Sequence, residues 1–236
     1  LWYFNIAVRP FEDSIGSSRT LHYTLNYLLA GLIPTGALFL LHARRDIASS
    51  MGLSHGFGTG LLFAVTATLP MITGYAVIGE FDEAFTWIFI AGMFEELVYR
   101  GFVFGQLFRY ARWGFLPAAL LAALAFGSLH LYQGHDPASA LTAFGVTALG
   151  SIFFSWLYVE WNYNLWSVIW LHTLMNLPWI VFRVSTSGAV GDIGANALRL
   201  CTIILAIGLT VAYKRKQGLP YRIQINTLIT NKIQNA

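Results

Sequence analysis

The chain has 236 residues, of which 56% are hydrophobic and 16% aromatic, and only 11% carry a charge; the mean hydropathy is +0.60. Soluble domains carry about 25% charged residues, so this composition is that of a protein solvated by lipid. A net charge of +3 with no basic face outside the C-terminal tail argues against nucleic-acid binding, and a single cysteine, Cys201, excludes an intramolecular disulfide and a thiolate metal pair.

The chain begins at Leu1 with an apolar, aromatic stretch, read as an interfacial segment over residues 1–20, and no signal-peptide pattern is visible. A membrane-spanning helix needs about 20 mostly apolar residues. Stretches 21–42, 57–79, 84–108, 114–132, 138–159, 164–182 and 195–213 meet that requirement. They are joined by short loops, as expected for antiparallel neighbours. The expectation is therefore an all-α, polytopic transmembrane helix bundle of about seven spans, or eight if a further N-terminal helix precedes them. Its site would be buried between helices in one domain over residues 21–213, followed by a basic cytoplasmic tail over 214–236. Arg44, Arg45, Arg109, Arg112, Lys214, Arg215, Lys216, Arg222 and Lys232 fall on one side of this topology. Arg9, Arg19, Arg183 and the acidic loop Glu80–Asp82–Glu83 fall on the other. The positive-inside rule then places the C-terminus in the cytoplasm. Trp156, Trp161 and Trp166 flank the loop between the fifth and sixth spans and suit an interfacial aromatic belt.

The third span contains Phe94-Glu-Glu-Leu-Val-Tyr-Arg-Gly101. Three ionisable side chains at a helix centre cost roughly 8–10 kcal/mol if uncompensated, which marks the cluster as functional and directs attention to partners on other helices. Glu96 and Arg100 are four apart and can pair. Glu95 lies about 100° round the helix, free to face a cavity, with Tyr99 on its face and able to donate a hydrogen bond to it. The fourth span ends in Phe126-Gly-Ser-Leu-His130, where Phe126 lies one turn before His130 and Gly127 permits close approach by another helix. The sixth contains His172-Thr-Leu-Met-Asn176, with imidazole and amide on one face. A carboxylate beside an imidazole can deprotonate water, and a histidine with an asparagine can stabilise an oxyanion. Alternatively, Glu95, His130 and His172 can hold one Zn²⁺ with water in the fourth position.

These three motifs, in this order on separate membrane helices, resemble the CPBP (Abi) family of intramembrane proteases, which is related to the type II CAAX prenyl endopeptidase (the Ras-converting enzyme). The resemblance spans roughly residues 57–182. It implies an all-helical membrane endopeptidase in which Glu95 and His130 match the water-activating pair and His172 and Asn176 the oxyanion-stabilising or further site residues. Glu96, Arg100, Tyr99 and Phe126 would support the site. The family has been read both as metal-dependent and as glutamate-driven. The expected partners are a membrane-associated or lipidated peptide or protein substrate and the bilayer itself, and the expected location is the cell membrane (the inner membrane in a bacterium). Other protease designs fit poorly. His-Glu-x-x-His is absent, and Ser128 does not face His130 two residues on. Two further readings are a non-catalytic scaffold or bacteriocin-immunity protein that binds a peptide in the same cavity, and a transporter, which would show paired broken helices in two repeat halves.

Overall fold

The computed structural model describes residues 31–42, 47–74, 84–181, 190–191 and 193–231. The expected N-terminal interfacial segment and the acidic 80–83 loop lie outside them. The described chain is all-helical. Its elements are α1 (Gly31–Leu41), the short α2 (Ile47–Met51), α3 (Phe57–Gly74), α4 (Ala84–Glu96), α5 (Phe115–Ser128), α6 (Pro137–Glu160), α7 (Leu165–Val181) and α8 (Ile193–Gln217). Each expected span therefore contains a helix. Three helical stretches, Phe115–Gln133, Pro137–Glu160 and Ile193–Gln217, are long and apolar enough to cross a membrane.

Side-chain size shows which solvent surrounds the bundle. In α5 the residues turned inward are Ala118, Ala119, Ala122 and Ala123, whereas Leu116, Leu120 and Leu124 point outward. A water-soluble helix would bury leucine and expose the smaller residue. The reverse pattern is expected in lipid, where outward leucine costs nothing and small inward residues let backbones approach. Gly127 completes this face. A Cβ there would come within 2.9 Å of the Phe144 ring and 3.1 Å of the Phe144 carbonyl, so α6 packs directly against the end of α5.

The centre of the bundle is α7, which packs against both α3 and α4, while α5 pairs with α6 and α8 lies against α3. The buried core joins Phe104, Phe108, Leu157, Tyr158, Leu165, Ile169 and Leu171. Asp136 caps α6 by accepting from the Ala138 and Ser139 amides, and the Ser139 hydroxyl accepts in return from the Asp136 amide, with Pro137 opening the helix. Asp136 is therefore the residue that starts α6.

Two spans differ from the uniform helices expected. The third is α-helical only as far as Glu96, and then runs as π-helix over Leu97–Phe104 and Gln106–Tyr110. The Gly105 amide reaches back five residues to the Arg100 carbonyl, and the Ala111 amide to that of Gln106. The fourth ends at Ser128, so His130 lies in a turn followed by a single 3₁₀ turn, Leu131–Gln133, rather than on the helix.

The segment expected as a basic tail is built into the fold. Helix α8 continues to Gln217 and buries Lys214 against Glu160. Beyond it, the Gly114 and Leu116 amides donate to the Ile229 and Leu228 carbonyls, the Asn231 amide donates to Arg112, and the Asn231 side chain donates to the Phe108 carbonyl.

Candidate functional site

Helices α4 and α7 meet at a glycine. A Cβ on Gly92 would lie 2.9 Å from the Thr173 hydroxyl and 3.3 Å from the Thr173 amide, so the two backbones come together one turn before Glu96 and beside His172. This close approach sets Glu95 and Glu96 against the His172 ring.

Glu96 and Arg100 form the ion pair that their spacing predicts, with Arg100 Nη1 donating to Glu96 Oε1 at 2.9 Å and both side chains fully buried. The same oxygen lies 2.7 Å from His172 Nδ1. A carboxylate paired with arginine can only accept, so Nδ1 carries the proton. The other ring nitrogen, Nε2, points at Glu95 Oε2 across 3.6 Å. That gap exceeds a direct hydrogen bond and is the spacing at which a bridging water is considered. His172 therefore stands between the two glutamates, clamped by one and directed at the other. Glu95 is the more open of the two, at 17% side-chain exposure against 0% for Glu96.

Aromatic rings enclose the cluster. The Arg100 guanidinium carbon lies 4.8 Å from the Phe126 ring centroid and 5.2 Å from that of Phe154, so the cation is held between two π-faces. Phe154 also stacks on His172, with centroids 5.4 Å apart. Arg100 Nε and Nη2 and Glu96 Oε2 are buried and have no hydrogen-bond partner among the described residues.

Phe126 walls His130 as expected, with ring centroids 4.4 Å apart, and it also touches His172 at 6.5 Å. His130 Nδ1 donates to the Phe126 carbonyl at 2.8 Å, an arrangement that leaves the lone pair of the neutral ring on Nε2. The site thus reaches His130 through the Phe126 ring rather than by direct contact between the two histidines. Tyr99 sets its ring edge-on to Phe126 at 4.9 Å; among the described residues it makes no hydrogen bond to Glu95. Asn176 lies one turn beyond His172, half-buried on α7, and no hydrogen bond joins it to the cluster among the described residues. Among the described residues no three His, Cys, Asp or Glu side chains gather at metal-ligand spacing.

Two contributors carry no sequence signal of their own. Phe154 is one more aromatic in an apolar helix. Gly92 precedes the acidic pair by a turn, and a small residue at that spacing is the one hint that α4 is closely approached there.

Residues 83–178 match the family model described as "Type II CAAX prenyl endopeptidase Rce1-like". No curated protein and no solved structure matches the chain. The matched region runs from α4 into α7 and contains Glu95, Glu96, Tyr99, Arg100, Phe126, His130, His172 and Asn176. Together with three apolar helices of membrane-crossing length, the match makes this chain an integral membrane protein with a region, residues 83–178, similar to the type II CAAX prenyl endopeptidases.

Proposed function

We propose that the protein is an intramembrane endopeptidase that hydrolyses a peptide bond of a membrane-associated or lipidated protein or peptide, with Glu95 as the base that activates water. The observation that carries this reading is the placement of His172 between the two glutamates, with Nδ1 held 2.7 Å from Glu96 and Nε2 directed 3.6 Å across to Glu95.

The roles follow from the hydrogen-bond pattern. Glu96 is occupied by Arg100 and His172, so it orients rather than reacts. Glu95 faces the open side and can take a proton from a water lying between it and an imidazole nitrogen. His130, whose Nδ1 is engaged by the Phe126 carbonyl, keeps Nε2 as an acceptor on the far side of the Phe126 ring. Attack of the resulting hydroxide on the scissile carbonyl breaks the C=O π-bond and forms a tetrahedral oxyanion. The side-chain amide of Asn176 is the donor available to it. Collapse expels the amine, which receives the proton held by Glu95. The aromatic walls exclude bulk water, which strengthens each of these electrostatic terms.

The test is cleavage of a membrane-anchored peptide by the purified protein in liposomes. Glu95→Ala and His130→Ala should insert and fold as the parent does and lose cleavage by about 10³-fold and 10²–10³-fold respectively, the range expected for loss of a general base. Undiminished cleavage by Glu95→Ala would overturn the proposal.

A further inference from the structure

A second cavity, of about 800 Å³, opens at the end of the bundle where α6 turns into α7 and α8 finishes. It lies between α3 and α8, and neither glutamate of the site nor His130 nor His172 lines it. Its volume falls within the roughly 300–1,000 Å³ usual for small-ligand sites. The walls are apolar and aromatic: Leu62 and Phe63 from α3, Leu209 and Tyr213 from α8, and Trp161 and Tyr221 from the segments that close the end. Trp161 is fixed by stacking on Tyr213, with centroids 5.0 Å apart, and by donating from Nε1 to the Thr210 hydroxyl. Leu62 and Tyr213 are also exposed on the outer surface, so the cavity continues into the outward-facing leucine and isoleucine wall of α3 and α8.

The rim is polar, and its charges can be counted. Glu160 accepts from the Lys214 ammonium and from the Arg222 and Ile223 amides, which neutralises Lys214 and uses both carboxylate oxygens. The Arg222 guanidinium donates to the Asn162 side-chain oxygen and lies over the Tyr163 ring, whose centroid is 5.2 Å away; it has no carboxylate partner among the described residues. A positive charge thus sits at the mouth of an apolar interior.

We propose that this cavity binds an anionic phospholipid, with one acyl chain between α3 and α8 along Phe63 and Leu209 and the phosphate against Arg222. A peptide would leave its backbone groups unsatisfied against such walls, and a free anion would leave the apolar interior unfilled. The phospholipid would tie the C-terminal segment to the bilayer through Arg222.

Native mass spectrometry of the delipidated protein, titrated with phosphatidylglycerol or with phosphatidylcholine of the same chains, tests this directly. The parent protein should take up one phosphatidylglycerol in preference to phosphatidylcholine. Arg222→Gln should weaken phosphatidylglycerol uptake by about fivefold, the effect of one cation at an anionic headgroup, and weaken uptake of phosphatidylcholine, whose phosphate is offset by its choline cation, by less. Arg222→Lys should restore most of the loss. Leu209→Trp, which fills the interior, should lower uptake of both lipids while thermal unfolding stays close to that of the parent. Equal uptake of the two lipids by the parent, or displacement of bound phosphatidylglycerol by inorganic phosphate, would overturn the proposal. So would parental uptake in both Arg222→Gln and Leu209→Trp.

Discussion

Two buried acid–base pairs sit in this bundle, and they are built differently. Glu160 and Lys214 join the end of α6 to the end of α8, and their surroundings complete them: Glu160 takes two backbone amides besides the ammonium, and Lys214 also donates to the Pro220 carbonyl. Glu96 and Arg100 are fully buried, and one carboxylate oxygen and two guanidinium nitrogens have no hydrogen-bond partner among the described residues. A histidine has been inserted on the carboxylate, and Phe126 and Phe154 take the place of hydrogen-bonding neighbours around the arginine. A saturated pair fastens two chain segments together. The Glu96–Arg100 pair instead holds an imidazole, and through it faces a third charged group, Glu95.

This contrast can be tested by breaking each pair in turn. Loss of the Glu95 carboxylate should have the largest effect on cleavage and little on stability. Arg100→Ala should have the largest effect on stability, about 3–5 kcal/mol, because it strands the Glu96 charge in a dry interior; Arg100→Lys should recover only part of this, since the π-faces match a planar guanidinium. The readout is unfolding in mild detergent. Gly92→Val comes next. Added carbons meet Thr173 and force α4 from α7, an overpacking that costs about 1–3 kcal/mol and should lower cleavage beyond its effect on stability by widening the gap from Glu95 to His172. Glu160→Ala should cost about 1–3 kcal/mol by leaving Lys214 unpaired. It should make residues 218–231 susceptible to limited proteolysis while the folded fraction keeps its activity. The smallest effect is expected at Asp136. Hydrogen bonds from the Ser139 amide and hydroxyl and from the Ala138 amide hold its carboxyl below the usual carboxylate range. Its contribution to the start of α6 is therefore complete above the unfolded-state value near about 3.9 and fades as the pH falls through the lower, folded value. Asp136→Asn should flatten that acid-limb dependence in hydrogen exchange of the first turn of α6.

The sequence made some of this readable because the relevant physics is local. Hydropathy located the helices, since a bilayer demands length and apolarity from each one separately. The Glu96–Arg100 pair and the Phe126–His130 contact followed from four-residue spacing within a single segment. What could not be read depends on registers between segments or on the backbone itself. Spacing placed His172 with Asn176 on one face, but that His172 would bridge Glu96 and Glu95 depends on the approach of α7 at Gly92. The π-helical run after Glu96 changes amide–carbonyl pairing without any demand on side-chain pattern, so its residues look α-helical. The C-terminal segment reads as a solvated tail because it is polar, yet it is docked through backbone amides and through Asn231 and Glu160, whose partners lie more than fifty residues away in the chain.

The central claim is that two adjacent glutamates have separate jobs. It is tested most directly by purifying Glu95→Gln and Glu96→Gln side by side and measuring, on the same preparations, cleavage of a membrane-anchored peptide in liposomes and the midpoint of thermal unfolding. The expected result is a Glu95→Gln protein that unfolds like the parent and does not cleave, and a Glu96→Gln protein whose unfolding midpoint falls. A Glu95→Gln protein that cleaves at the parental rate would contradict it.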